Sequence, residues 1–406
     1  MNKLKERLRK KVIDEMDLFR EVTEEELYEA IDRSLIDLGR QEYICIQDKL
    51  KLRRDIFNSI RRLDVLQELI EDPEITEIMV NGPKHIFIEK AGRLYQSDQC
   101  FESTQKLEDV IQQIVSHSNR VVNEACPIVD SRLADGSRVN IVLGPIAMEG
   151  PVITIRKFPE HPITIERLIE LESISKEVSE FLRQLVIAGY NIFISGGTGS
   201  GKTTFLNVLS NFIPREERII TIEDSAELQI RNIPNLVRLE VRNANTEGSH
   251  EITIRDLIKT ALRMRPDRII VGEVRDAAAV DMLQAMNTGH DGSLSTGHAN
   301  SPTDMLSRLE SMVLLGADIP LPAIRKQIAS AIDIIVHLGR MRDRSRRLLQ
   351  ITEVLDCHNG EINLNPIYSF EETGEENGRV CGKLILQNKL SNTEKLKRAG
   401  ISIRYS

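Results

Sequence analysis

Apolar residues recur at helical spacing through the first part of the chain. Thr23 and Glu26 form the T-x-x-E pattern of a capping box, and Gly39 is of the type that ends a helix. The apolar residues that share one face between them are Leu27, Ala30, Ile31 and Leu35. We predict an N-terminal helical region over residues 1–70, whose charged residues form a solvated face.

From about residue 72 the pattern changes to short β-branched runs separated by glycine and proline turns. The runs are EITEIMVNG, HIFIEKAGRLYQS, RVNIVLG and PVITIRKF, with a helix predicted near 104–118. This pattern predicts a small N-terminal α/β domain over residues 71–160. Pro159 and Pro162 flank the linker that we expect to follow it.

The third region begins with a helix that ends near Gly189 and continues as strands alternating with helices. The strands are predicted at NIFIS, RIITIED, RIIVGE and GSLSTGH. Apolar strands separated by helices are typical of a parallel sheet that is covered on both faces. We predict an α/β domain over residues 161–345. A small C-terminal β/α appendage is predicted over residues 346–406.

Composition narrows the class of protein. The 406 residues carry a net charge of −8, with 41% apolar residues, 4% aromatic residues and no tryptophan. Proteins that bind nucleic-acid strands need a basic groove and aromatic platforms, so we expect no nucleic-acid partner. No run approaches the roughly 20 apolar residues of a membrane helix, and the basic start lacks the apolar block of a signal peptide. The five cysteines are scattered, which favours reduced thiols in a cytoplasm and disfavours a zinc knuckle.

A glycine-rich stretch, GGTGSGKTT, begins at Gly196, directly after a predicted strand and before a predicted helix. It matches G-x-x-x-x-G-K-[ST], the loop whose backbone N–H groups hold phosphates beside a helix N-terminus. Lys202 would reach the β- and γ-phosphates, Thr203 would offer its hydroxyl to Mg²⁺, and Thr204 would contact the α-phosphate. We predict that the loop binds ATP and Mg²⁺ through Gly196, Gly197, Thr198, Gly199, Ser200, Gly201, Lys202, Thr203 and Thr204.

A carboxylate follows the apolar strand in RIIVGEVRD. Glu273 lies at the carboxyl end of that strand, where ligands gather in open α/β sheets. We predict that Glu273 faces Mg²⁺ or its water, with Thr203 as a further metal ligand. The alternative is a capping or surface glutamate. Gly272 stands where many nucleotide hydrolases have a magnesium-binding aspartate.

A second group of carboxylates, Glu223, Asp224 and Glu227, follows the strand RIITI. Three acids at one strand end repel each other unless a cation or a phosphate-bound metal is near. We predict that Glu227 is the general base that orients the attacking water, a role worth about 10²–10⁴ in rate, with Glu273 as the other candidate for that role. Acids that cap a helix start are the alternative.

Two histidines, His290 and His298, stand eight residues apart in MNTGHDGSLSTGHANSP. A metal site needs three or four ligands, and only Asp291 is close in sequence. Packing in the core or a turn is a second alternative. We favour a role in which imidazole nitrogens donate toward the γ-phosphate and so detect whether it is present.

The order of these motifs resembles the secretion ATPase superfamily that powers pili and type II and type IV secretion. IEDSAEL, RPDRIIVGEVR and the histidine stretch follow the phosphate loop in that order, and the resemblance extends from about residue 70 to 355. EDPEITEIMVNGP and DSRLADGSRVNIV look most like the CpaF type, which serves Flp (tight adherence) pilus assembly. The tetracysteine zinc element of the type II branch is absent.

The resemblance implies a RecA-like P-loop ATPase domain, an N-terminal α/β (PAS-like) domain that covers the nucleotide, and a homo-hexameric ring. It implies the catalytic-base role for Glu227, the Walker B role for Glu273 and the His-box role for His290 and His298. It also implies that arginines of the N-terminal domain contact the phosphates. The arginines in the matching stretches are Arg132, Arg138 and Arg156.

Partners and location follow from the same resemblance. It implies a cytoplasmic protein that makes peripheral contact with inner-membrane platform proteins. The favoured function is an ATP-hydrolysing motor for Flp/Tad-type pilus assembly or secretion, and the nearest alternative is a type IV secretion ATPase that moves protein or DNA. A DNA-handling RecA-like protein, which the acidic charge disfavours, and a non-catalytic nucleotide-binding scaffold also stay open.

Overall fold

The computed structural model describes residues 2–16, 22–40, 43–116, 121–158, 162–242, 251–358 and 360–403. Two compact units, Met1–Glu160 and His161–Ser406, make up the chain. Most of the predicted linker Pro159–Pro162 lies outside the described residues. The division into four regions stays a prediction, and each unit is described by itself.

Four helices open the first unit: α1 (Asn2–Glu15), α2 (Glu24–Gly39), α3 (Ile46–Arg61) and α4 (Val65–Glu71). The predicted capping box is present at the start of α2. The backbone N–H of Glu26 donates to Thr23 Oγ1 at 3.2 Å, and the backbone N–H of Thr23 donates to Glu26 Oε2 at 3.0 Å. The predicted apolar face of α2 is buried against α1 and α3.

An antiparallel sheet of six strands completes this unit, in the order β3-β2-β1-β6-β5-β4. Its strands are β1 (Ile75–Asn81), β2 (His85–Lys90), β3 (Arg93–Gln96), β4 (Ile128–Arg132), β5 (Arg138–Val142) and β6 (Val152–Arg156). Helix α5 (Thr104–Ser116) buries its apolar stripe on one face of the sheet. The opposite face therefore carries the more polar members of the alternating strands.

The second unit is built on one sheet of nine strands, in the order β15-β14-β13-β12-β7-β11-β10-β8-β9. The strands from β12 to β9 in that order are parallel. These strands are β7 (Ile192–Gly196), β8 (Ile219–Glu223), β9 (Leu236–Glu240), β10 (Arg268–Val271), β11 (Leu294–His298) and β12 (Ile334–Arg340). The predicted parallel sheet is confirmed.

Helices cover both faces of the parallel strands, so apolar residues divide between two cores. Ile192 and Ile194 of β7 face one core, and Phe193 between them faces the other. Each such fully buried side chain contributes about 1.5–3 kcal/mol. The helices are α6 (Ile165–Glu170), α7 (Lys176–Ile187), α8 (Lys202–Ser210), α9 (Ile254–Ala261), α10 (Ala278–Asn287), α11 (Pro302–Gly316) and α12 (Leu321–Ala331).

The sheet continues beyond β12 as antiparallel strands β13 (Arg346–His358), β14 (Glu361–Glu376) and β15 (Arg379–Leu386). The predicted appendage thus contributes strands to the same sheet as the phosphate loop. A short helix, α13 (Glu394–Arg398), is tied down by Lys395, whose Nζ lies 2.7 Å from Asp333. Within the described ranges, no helix has the length and apolarity to span a bilayer.

Candidate nucleotide-binding site

The phosphate loop joins β7 to α8 at the carboxyl edge of the parallel strands. Gly201 precedes α8 with φ at 94°, a left-handed conformation that favours glycine. At Gly196, a Cβ atom would overlap the carbonyl oxygen of Leu338 on the neighbouring strand β12. Glycine at this position therefore allows β7 and β12 to pair right up to the loop. Thr203 and Thr204 lie half-buried in the first turn of α8.

Lys202, His298 and Glu273 form a continuous chain of contacts at the mouth of the loop. Lys202 Nζ donates to the carbonyl of Gly197 at 3.1 Å and lies 3.2 Å from His298 Nδ1. His298 Nε2 in turn lies 3.1 Å from Glu273 Oε1. The structure thus brings together residues that are up to 96 positions apart in sequence.

Strand register explains why these side chains meet. Strand β11 lies between β7 and β10, and His298 pairs in register with Gly196 at the start of the loop. Glu273 follows β10, whose Val271 pairs with Ser295 of β11. Because parallel strands end at the same edge of a sheet, the residues after β7, β10 and β11 converge there.

At neutral pH, His298 is uncharged and Glu273 is ionised. Burial and the positive charge of Lys202 lower the pKa of His298, despite the opposing charge of Glu273. Burial by itself raises the pKa of Glu273, but the hydrogen bond and charge of Arg275, with the charges of His298 and Lys202, hold that pKa below its ordinary value. A neutral imidazole that accepts from Lys202 at Nδ1 carries its proton at Nε2, on the side of Glu273.

We expect His298→Gln to make stability less sensitive to acid. The native pKa of His298 lies below its unfolded value of about 6.5. Between those values the unfolded chain binds more protons, so this group lowers stability as pH falls through about 6.5. The drop in thermal unfolding midpoint from about pH 7.5 to about 5.5 should therefore be smaller in H298Q than in the wild type.

The exposed His85 provides the matched control for this measurement. His85→Gln should follow the wild-type pH dependence. A drop in H298Q as large as the wild-type drop would contradict the assignment of a neutral His298.

Glu223 holds the segment that carries Glu227. Its Oε2 accepts the backbone N–H groups of Glu227 at 2.7 Å and of Leu228 at 2.9 Å. Burial raises the pKa of Glu223, while these two donors lower it. A Cβ at Gly272 would lie only 3.1 Å from Glu223 Cγ, so the missing side chain of Gly272 leaves room for Glu223. Sequence reasoning placed Glu223 in the acidic group but did not predict this positioning role.

Arg275 supplies the cation that the acidic cluster requires. Its guanidinium lies 2.9 Å from Glu273 Oε2 and 3.6 Å from Asp224 Oδ2, and the charge of Glu227 also raises its pKa. The carboxylates after β8 and β10 thus share one guanidinium, which offsets their repulsion. Sequence reasoning missed Arg275, although it lies two residues after Glu273 in GEVRD.

His290 does not join the site. It precedes β11 and so lies at the amino edge of the sheet, whereas His298 ends the strand at the carboxyl edge. A strand of five residues separates its ends by roughly 15 Å. The Nδ1 atom of His290 instead lies 3.1 Å from the carbonyl of Ala285 near the end of α10. This placement within the chain matches the turn-packing alternative for His290.

The three arginines that the resemblance singled out form one row across the N-terminal sheet. Arg132 pairs in register with Arg138, and Arg138 with Arg156, on the adjacent strands β4, β5 and β6. Residues directly opposite each other project on the same face of a sheet. Glu77 of β1 continues the row, with its Oε1 3.8 Å from Arg156 Nε. The row thus presents three guanidinium groups on one face, the type of group that binds carboxylates and phosphates.

The expected Mg²⁺ ligands suit a hard cation. Glu273 Oε1 is buried and accepts no well-aligned hydrogen bond, although His298 Nε2 lies nearby. A buried carboxylate oxygen without a well-aligned hydrogen bond is a suitable ligand for Mg²⁺ or for its water. No group of three or more His, Cys, Asp or Glu in the described residues could hold a metal alone. Mg²⁺ would therefore depend on phosphate oxygens for its other ligands.

The fold and the site together define a P-loop nucleotide-binding protein with a RecA-like sheet. A family model described as "Type II/IV secretion system protein" matches residues 61–383. The chain belongs to this family.

Relatives and one solved structure extend the comparison. The conjugal transfer protein TrbB of Rhizobium radiobacter is 31% identical over 314 residues, covering 76% of this chain and 93% of TrbB. The type IV secretion system protein VirB11 of Bartonella henselae is 30% identical over 335 residues, covering 73% and 92%. The crystal structure of the pilus retraction motor PilT with bound ADP superposes with a TM-score of 0.51 at 19% identity, covering 80% and 83%. That likeness supports the fold alone.

Proposed function

We propose that the chain is a Mg²⁺-dependent ATPase that converts ATP and water to ADP and phosphate. The observation that carries the proposal is the chain of contacts from Lys202 through His298 to Glu273 at the open end of the phosphate loop. A cation, an imidazole and a carboxylate are the groups that bind a terminal phosphate, contact it and hold its metal ion. Together they would make the contacts within the site depend on whether the γ-phosphate is present.

Lys202 would exchange its contact with the Gly197 carbonyl for the β- and γ-phosphates. His298, which is neutral at physiological pH, would present a ring nitrogen to the γ-phosphate. Glu227 is proposed as the general base that orients water, and Glu223 as the residue that positions it through two backbone hydrogen bonds. Transition-state charge would be met by groups that are already in place.

Mg²⁺ would be held by Thr203 and Glu273 together with phosphate oxygens. When bound, the ion neutralises negative charge that develops on the phosphates. The charge on Glu273 supports this role, because Arg275 and Lys202 keep the carboxylate ionised.

The arginine row of β4, β5 and β6 is proposed to contact the phosphates of bound nucleotide. Its support is the register that aligns Arg132, Arg138 and Arg156 on one face. An arginine at the transition state is worth about 10³–10⁵ in rate.

At the level of the whole protein, we propose a cytoplasmic homo-hexamer that drives Flp/Tad-type pilus assembly or secretion through peripheral contact with inner-membrane platform proteins. Membership of the secretion family supports the motor role, and the CpaF-like stretches favour the pilus branch. A type IV secretion ATPase is the second candidate, because relatives named for conjugal transfer and type IV secretion match most of the chain.

The full chain should release phosphate from ATP in the presence of Mg²⁺ and lose that activity when EDTA removes the metal. The motor role would be supported if size-exclusion chromatography shows an oligomer and if that oligomer hydrolyses ATP faster with its membrane platform partner than alone. Stimulation by DNA instead, with a steep salt dependence, would favour a DNA-handling protein. If the chain binds ATP but hydrolyses it under no condition, the non-catalytic scaffold would be the remaining hypothesis.

A further inference from the structure

Strand β7, which carries the phosphate loop, has different neighbours on its two sides. Strands β11 and β10 lie on one side and carry His298 and Glu273, the residues proposed above to meet the terminal phosphate. Strand β12 lies on the other side, pairing Leu338 with Gly196. If the γ-phosphate lies toward β10, the ribose and base extend to the other side of the loop. The hairpin formed by β12 and β13 borders the loop on that side.

Two arginines of this hairpin lie against the phosphate loop. Arg346 Nε donates to the carbonyl of Gly199 at 2.9 Å. A terminal nitrogen of Arg340 lies 3.8 Å from the position that a Cβ would take on Gly199. Both arginines and Gly199 are exposed, so a ligand in the loop can reach them.

The turn between β12 and β13 is held in place from the side away from the loop. Asp343 Oδ1 accepts the backbone N–H and the hydroxyl of Ser345, and its Oδ2 accepts the backbone N–H of Val380 at 2.8 Å. Arg342 pairs with Glu372 at 2.7 Å and with Glu375 at 3.0 Å on β14. These arginines thus lie on two sides of the hairpin, with Arg342 facing β14 and with Arg340 and Arg346 facing the loop.

We propose that the hairpin forms the nucleoside-side wall of the site, in which Arg340 contacts the ribose and adenine of bound nucleotide and Arg346 positions the loop. This inference rests on the proposed nucleotide site. A planar guanidinium group stacks well on a purine ring. Residues 340–347 contain no aromatic side chain that could stack on the base instead. Arg346 acts through the Gly199 carbonyl and is a positioning residue.

Calorimetric titration with ADP and with inorganic tripolyphosphate separates these roles. Arg340→Gln should weaken ADP binding about five- to tenfold and leave tripolyphosphate binding unchanged, because the latter has no nucleoside. Arg346→Gln should weaken both ligands, since it loosens the loop that binds phosphates. In turnover, R340Q should raise KM for ATP with kcat nearly unchanged.

Arg342→Gln is the matched control, since it removes the same guanidinium from the same hairpin on the side that faces β14. It should bind both ligands like the wild type. Equal weakening of ADP and tripolyphosphate in R340Q, or no change in either, would overturn the proposal. If R340Q is unstable, Arg340→Lys replaces it, with the same selective loss of ADP binding expected. Failure of the wild type to bind ADP would instead reject the proposed nucleotide site.

Discussion

Lys202→Ala is expected to abolish ATP turnover, with a loss of at least about 10³-fold in kcat/KM. Lys202 is the only charged residue in GGTGSGKTT, and it is proposed to contact the β- and γ-phosphates. Its ammonium group is already directed into the site by Gly197 and His298. Without it, the charge that develops on the transferred phosphate loses its nearest fixed partner. Phosphate release from purified full-length protein measures the effect.

The exposed Lys176 at the start of α7 supplies the control for lost charge in the same unit. Lys176→Ala should hydrolyse ATP at the wild-type rate. Thermal unfolding of K202A should show that the fold is retained. Turnover within tenfold of wild type in a folded K202A would reject the assignment of the loop.

Glu227→Gln is expected to bind ATP with near wild-type affinity and to hydrolyse it about 10²–10⁴-fold more slowly. An amide keeps the shape of the side chain but cannot accept a proton from water. The backbone N–H of residue 227 still donates to Glu223, so the segment should keep its position. Binding by calorimetry and turnover by phosphate release separate the two effects.

Glu216→Gln removes an exposed carboxylate from the same unit and should change neither binding nor turnover. Normal hydrolysis by E227Q would remove Glu227 from the base role and leave Glu223 and Glu273 as candidates. Loss of ATP binding together with turnover would point to a structural role instead.

Much of the fold was readable from the sequence because its signals are local. The capping box of α2 and the apolar runs of β7, β8, β10 and β11 need only neighbouring residues to be recognised. Strand β9 was not predicted, since it lies at the sheet edge and has no fully buried residue. Strand β4 was not predicted because its five residues include the charged Asp130 and Arg132, which weaken the apolar pattern.

The parts of the candidate site that a short sequence motif specifies were predictable. The parts that depend on contacts between residues far apart in the sequence were not. Glycine spacing located the phosphate loop, and strand ends located Glu273 and His298. The roles of Glu223 and Arg275 depend on burial and on which strands become neighbours, neither of which a short pattern encodes. The pairing of His290 with His298 in one motif concealed the strand that separates them.

The contacts of Lys202 in the structure, with the Gly197 carbonyl and His298, have a consequence for the proposed exchange of nucleotide. Since the ammonium group already has oxygen and nitrogen partners before ATP arrives, part of the attraction to phosphate is cancelled by what it must give up. Gly197 and His298 are available again when ADP leaves, so the buried ammonium group of Lys202 would not be left without a hydrogen-bond partner. If the site binds nucleotide as proposed, these contacts would lower the net gain from binding phosphate, which would favour repeated binding and release over tight retention of product.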